Sequence, residues 1–216
     1  MVDRLKLAVL ISGRGTNMQA LIDACAAADY PAEIVVVLSN EPDAAGLARA
    51  NEAGIEALVV PHRDYDGREG FEAAVTAALA ERGVELIALA GFMRLLTAGF
   101  VERWRDRLIN IHPSLLPAFK GLDTHERALA AGVRFAGCTV HFVRTEMDSG
   151  PIIVQAAVPI GPDDHAASLA ARVLEQEHVI YPLAVRLIAE GRVGIEDELV
   201  TVDGAAAAGA TINPTA

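Results

Sequence analysis

The sequence predicts an α/β protein: a single doubly wound, mostly parallel sheet, Rossmann-like, with an antiparallel C-terminal extension. Three observations carry this. Short apolar runs alternate with stretches of helical period up to residue 112. The runs are almost continuously apolar, as expected for parallel strands covered on both faces. After Pro113 the alternation stops, and two longer β-rich runs follow each other across a turn.

Residues 6–12 form the first strand, bounded by a Gly-rich turn. A helix follows from about Asn17, with Met18, Leu21, Ile22 and Cys25 on one face. Residues 33–39 form the second strand, through Ile-Val-Val-Val-Leu. Residues 44–53 are helical and end at Gly54, which suits the left-handed residue after a helix. The third strand, 55–60, stops at Pro61. A helix over 68–82 closes at Gly83, and 84–90 is the fourth strand. Residues 96–105 are helical and lead into the fifth strand, 108–112. The βαβ order implies right-handed crossovers. Residues 114–125 read as a Pro- and Gly-containing loop. Residues 135–143 and 152–160 form an antiparallel pair around a turn at 147–151. A long helix over 165–190 carries Pro182, which predicts a kink or break near Tyr181. Residues 193–202 form a final hairpin. The domain reading is one catalytic domain over 1–203 and a low-complexity, mobile tail over 204–216.

The chain has 216 residues and is 52% hydrophobic with one Trp, so aliphatic side chains build the core. Its formal net charge of −11 argues against a nucleic-acid backbone as partner. A small anionic substrate stays open, because it feels only the field of its pocket. No charge-free apolar run reaches 18 residues. Asp3 falls where a signal peptide needs positive charge. Cys25 and Cys138 have neither metal nor disulfide spacing and read as buried thiols, which implies a reducing cytoplasm.

Asn110-Ile-His112-Pro113 is the most informative stretch. Alternate strand residues share a face, so Asn110 and His112 project side by side. Proline has no N–H for a central ladder, so the strand ends there, at the edge where parallel sheets bind ligands. Two donors aimed at one point suit a reaction that builds negative charge on oxygen. A hydrogen-bonded core histidine is the plain alternative. Ser12-Gly13-Arg14-Gly15-Thr16-Asn17 joins the first strand to the first helix, where N–H groups and the helix dipole attract an anion. A simple capped turn is the alternative. Met18 stands where a dinucleotide fingerprint needs its third Gly, and Ser39-Asn40 replaces the ribose-binding acid. A lone phosphate is therefore favoured over NAD. Asp148 sits in a turn-forming sequence, and capping and catalysis are both open. His141, within a strand, reads as structural. His62, His125 and His165 lack metal spacing, and Glu177, Arg68 and Arg94 taken singly read as solvated charges.

Six segments occur in one order: Ser12-Gly-Arg-Gly-Thr-Asn17, Ala90-Gly-Phe-Met-Arg-Leu-Leu96, Asn110-Ile-His-Pro-Ser-Leu-Leu-Pro117, Val140-His-Phe-Val143, Asp148-Ser-Gly-Pro151 and Gln176-Glu-His178. Together they resemble the folate-dependent phosphoribosylglycinamide formyltransferases of purine biosynthesis, over roughly residues 5–195. The resemblance implies formyl transfer from 10-formyltetrahydrofolate to glycinamide ribonucleotide through a tetrahedral intermediate, without a metal. Asn110, His112 and Asp148 are its implied catalytic set. Gly15, Thr16 and Asn17 would hold the substrate phosphate, and Glu177 the ribonucleotide. Met93, Arg94, Leu95 and Leu96 would line the pterin pocket. Arg68, Asn110 and the loop of Arg144, Thr145, Glu146, Met147 and Asp148 would also meet the folate. Arg144 and Leu174 depart from the residues frequent in the family. A monomer or homodimer acting on small molecules, with no nucleic-acid or membrane partner, is expected. The rivals are a formyltetrahydrofolate hydrolase, which carries an extra N-terminal domain, and a methionyl-tRNA formyltransferase, which carries an extra basic C-terminal one. A non-catalytic nucleotide-binding module is a third.

Overall fold

The computed structural model describes residues 4–206, 209 and 211–214. Seven strands form one mostly parallel sheet in the order β3-β2-β1-β4-β5-β6-β7, and two more form a separate hairpin. They are β1 (Leu5–Ile11), β2 (Ala32–Ser39), β3 (Ala57–Val59), β4 (Leu86–Leu89), β5 (Leu108–His112), β6 (Phe135–Phe142) and β7 (Ile152–Pro159), with β8 (Val193–Glu196) and β9 (Leu199–Val202) in the hairpin. The helices are α1 (Thr16–Cys25), α2 (Gly46–Glu52), α3 (Arg68–Glu81), α4 (Ala98–Arg103), α5 (Thr124–Ala130) and α6 (Ala166–Ala189). The chain divides into two units. One runs to Asn110 and includes Phe142–Thr145, and the other comprises Ile111–His141 and the chain from Glu146 onward.

In the first unit, β1 pairs in parallel with β2 and β4, β2 with β3, and β4 with β5. Leu7 to Ile11 are fully buried, as a strand covered on both faces requires. Leu10, Leu38, Ile87 and Leu108 meet Phe71, Val75 and Leu79 of α3 and Phe100 and Trp104 around α4 in one apolar cluster. The chain leaves β1 toward β2 on one side and reaches β4 on the other. That reversal is the switch point at which open α/β sheets bind ligands beyond their strand C-termini. Here the turns after β1 and β4 touch: Ser12 N donates to Gly91 O at 3.2 Å and Met93 N to Ser12 Oγ at 2.8 Å.

In the second unit, β6 and β7 are antiparallel, and α6 packs on β7 and α5. Leu169, Val173, Ile180, Tyr181, Ala184 and Val185 form the buried face of α6. Burying each large one contributes about 1.5–3 kcal/mol. That outweighs the roughly 3 kcal/mol a proline costs inside a helix, so α6 runs as one helix through Pro182, and of the expected kink or break the break does not occur. His165 caps it, its ring nitrogen accepting from Ser168 N at 3.2 Å. The segment read as a loop over 114–125 gives way to helix at Thr124, because Thr124 and Ala128, four residues apart, are buried on one face of α5. Helix α4 is shorter than expected because Thr97 caps it, accepting from Phe100 N. Asn213 donates to the carbonyl oxygens of Arg134 and Ile160 at 2.6 and 3.0 Å. The other tail positions 207, 208, 210, 215 and 216 lie outside the described residues.

Candidate active site

Strand β5 ends in the two groups singled out from the sequence. Asn110 sits beside Leu89 in the β4–β5 register, and His112 is the last residue of the strand. His112 is 6% exposed, and its ring is held from both sides. Nε2 lies 3.1 Å from the carbonyl oxygen of Phe119. Nδ1 lies 3.6 Å from Asp148 Oδ2. Both nitrogens thus face oxygen acceptors, and only an imidazolium offers an N–H to each. Asp148 also faces His141, whose Nε2 lies 4.0 Å from Oδ1. Its Oδ2 accepts from Gly121 N at 2.8 Å. Asp148 and Phe119 have φ of 51° and 54°. An Asp tolerates the left-handed region, but for a bulky Phe it is an outlier of the kind stored at functional sites. The strained backbone of Phe119 carries the carbonyl that sets the His112 ring.

The loop after His112 is clamped from β6 and β7. Thr139, fully buried, donates its hydroxyl to Ser114 O at 2.7 Å and accepts from Leu116 N at 3.1 Å. Gln155 Nε2 donates to Leu116 O and to Thr139 Oγ1, both at 2.9 Å. Ser114 Oγ donates to Ala118 O at 2.7 Å. Burial pushes the nearby His125 below the usual histidine range, with Glu126 opposing and His112 reinforcing the shift.

In the first unit, the turn after β1 is shaped by glycine. Gly15 has φ 69°, and a Cβ there would meet Gly46 Cα and Met18 Cε, each at 3.0 Å. Gly46 N in turn donates to Gly13 O at 3.0 Å. Thr16 and Asn17 open α1, and its N-cap residue, Gly15, has no side chain to cap it. A helix start presents main-chain N–H groups and the positive end of the helix dipole.

A formyl transferase family model matches residues 5–185. The phosphoribosylglycinamide formyltransferase of Haemophilus influenzae is 46% identical over 93% of this chain and 95% of its own length. The crystal structure of glycinamide ribonucleotide transformylase 1 from Symbiobacterium toebii superposes with a TM-score of 0.90 at 47% identity, over 94% of this chain and 95% of that one. This chain belongs to the phosphoribosylglycinamide formyltransferase family. It is also 50% identical, over 91% of its length, to the trifunctional purine biosynthetic protein adenosine-3 of Drosophila melanogaster, of which it spans 15%.

The fold of this family member brings His112 and Asp148 together, with Asn110 two residues from His112 on the same strand. Glu177 lies on α6 and is 7% exposed, against the reading of it as a solvated charge. Burial first, and then Glu177, push the phenol of Tyr181 well above its ordinary range. Arg68 begins α3. Met93 and Leu95 are exposed between β4 and α4, and Arg94 Nε is buried with no partner among the described residues. Leu96 is half-buried in the same segment. In the first unit Arg144 pairs with Asp106 at 2.7 Å, with Thr145 following it; in the second, Glu146 pairs with Lys120 at 3.2 Å and Met147 is exposed. Sequence reasoning missed the Phe119 carbonyl, Gly121 N and the approach of His141 to Asp148. The two main-chain groups leave no mark in side-chain identity. His141 left one: a histidine in an otherwise apolar strand run. Cys138 is buried as expected, whereas Cys25 is only partly so.

Proposed function

We propose that this chain transfers the formyl group of 10-formyltetrahydrofolate to the primary amine of glycinamide ribonucleotide. The supporting observation is the pairing of His112 with Asp148 at the end of the strand that carries Asn110, in a chain 46% identical to a relative named for this reaction. The amine attacks the formyl carbon, and the carbonyl π electrons move onto oxygen. Asn110 donates an amide N–H to that oxygen, and the His112 imidazolium sets positive charge beside it. Asp148 faces the imidazolium as its counter-charge. Collapse of the tetrahedral intermediate expels the folate nitrogen, which takes a proton as the new amide nitrogen loses one, and His112 is the residue suited to carry it. No covalent enzyme intermediate is required.

Gly15, Thr16 and Asn17 receive the substrate phosphate, and Glu177 the ribonucleotide. Arg68, residues 93–96 and residues 144–148 hold the folate. The substrates are small molecules and the compartment is the cytoplasm; among the described residues, no helix is long and apolar enough to cross a membrane. The test offers 10-formyltetrahydrofolate to the chain with the ribonucleotide and with water alone. Turnover requires the ribonucleotide, and His112→Ala lowers it at least about a hundredfold while the protein stays folded. Equal turnover with water alone, or near-normal turnover in a folded His112→Ala protein, refutes the reading.

A further inference from the structure

The segment between β4 and α4 has no regular structure, yet it is tied at both ends by side chains. Near its start, Ser12 Oγ accepts from Met93 N at 2.8 Å and donates to Asn40 Oδ1 at 2.5 Å. At its end, Glu72 of α3 binds Thr97 twice. One carboxylate oxygen accepts the Thr97 main-chain N–H at 2.7 Å, and the other accepts its hydroxyl. Between these ties, Met93 and Leu95 are 69% and 67% exposed. Loose loops do not hold large apolar side chains in water in one conformation. A loop braced at both ends does, and apolar groups presented this way suit a flat apolar ligand.

Glu72 is 5% exposed and lies on the face of α3 that also carries Val75 and Leu79. A buried carboxylate is costly unless hydrogen-bonded, and an apolar residue of similar size packs there at lower cost. Core stability therefore does not account for a Glu at this position. Both of its oxygens are spent on one residue, Thr97, which caps α4 and ends the exposed segment.

We infer that Glu72 is a positioning residue for the folate: by fixing Thr97 it sets the course of residues 91–96 and the direction in which Met93 and Leu95 present their side chains. This rests on the reading above that residues 93–96 take the folate. Glu72 itself touches no reacting atom.

The experiment measures kcat and the KM of each substrate in Glu72→Ala, Glu72→Gln, Thr97→Val and Met93→Ala. Glu72→Ala raises the KM for 10-formyltetrahydrofolate about tenfold, the scale of one lost charge-assisted tie, and leaves kcat and the ribonucleotide KM within about twofold. Thr97→Val keeps the main-chain tie and gives a smaller rise in the same direction. Glu72→Gln keeps an oxygen for the Thr97 N–H and recovers most of the loss. A merely structural role would move both KM values together and lower the melting temperature in proportion. Such a joint change overturns the inference. So does an unchanged folate KM in Glu72→Ala and Thr97→Val when Met93→Ala raises it; the folate reading then stands. An unchanged folate KM in Met93→Ala overturns that reading and the inference with it. If Glu72→Ala does not fold, Thr97→Val decides by the same criteria.

Discussion

Asp148→Asn isolates a single physical quantity. Asp148 has φ 51°, a conformation that Asn adopts as readily as Asp. Its hydrogen bond from Gly121 N, 2.8 Å long, passes to the amide oxygen of the variant. The backbone and that tie survive, and only the charge facing His112 at 3.6 Å is lost. A unit charge pair near 4 Å is worth about 4 kcal/mol at an effective dielectric of 20. If about half of it, roughly 2 kcal/mol, acts in the transition state, kcat falls about 30-fold. The assay is steady-state turnover at saturating substrates, with circular dichroism confirming the fold. Asp148→Ala, which also removes the Gly121 tie, serves as the comparison. An Asn variant within about twofold of the parent refutes an electrostatic role. Full activity in Asn with loss in Ala makes Asp148 a hydrogen-bonding post for residue 121 instead.

Three further outcomes are expected. In Gly15→Val, the added Cβ meets Gly46 Cα at 3.0 Å in a left-handed conformation that costs a non-glycine residue about 1–2 kcal/mol; calorimetry shows ribonucleotide affinity falling at least about tenfold with folate affinity unchanged, and equal loss of both overturns the phosphate assignment. Asp164 accepts from Arg172 at 2.5 and 2.7 Å, and from Gly161 N and Ser168 Oγ, and the Arg172 guanidinium holds its carboxyl well below the usual carboxylate range. A depressed folded value gives stability that is present above the ordinary range and is lost as pH falls through the depressed one. Asp164→Ala therefore costs about 1–2 kcal/mol at neutral pH in urea titrations, and the gap to the parent narrows on acidification; a gap independent of pH refutes the pairing. Burial pushes the Cys138 thiol up to about 12 and the Cys25 thiol up to about 11. At pH 8 both react slowly with a thiol reagent in the folded protein and quickly in urea; fast labelling of folded Cys138 contradicts its packing.

The strands and helices of the first unit were legible because apolar period and Gly or Pro punctuation act locally. Residues 108–112 were bounded correctly, since Pro113 stops the strand whatever surrounds it. The errors came where packing outweighs local preference. Pro182 failed to break α6 because the apolar face on both sides of it is buried. Helix α5 was hidden because Thr124 and Ala128 show their shared face only once buried. Asn110 and His112 were readable as one strand end because both lie within residues 108–112, two positions apart.

The sequence by itself determined the fold class, the strand end that carries Asn110 and His112, the glycine turn before α1 and the family resemblance. Each rests on spacing along the chain, and spacing sets geometry within one element and its turn. Only the tertiary structure showed what Asp148 faces. It set the carboxylate 3.6 Å from His112, across 36 positions of sequence, and turned Phe119 O toward the same ring. It also buried Glu177, which taken singly in the sequence reads as a solvated charge. Burial and partnership of a polar group depend on elements far away in the chain, and no local pattern encodes them.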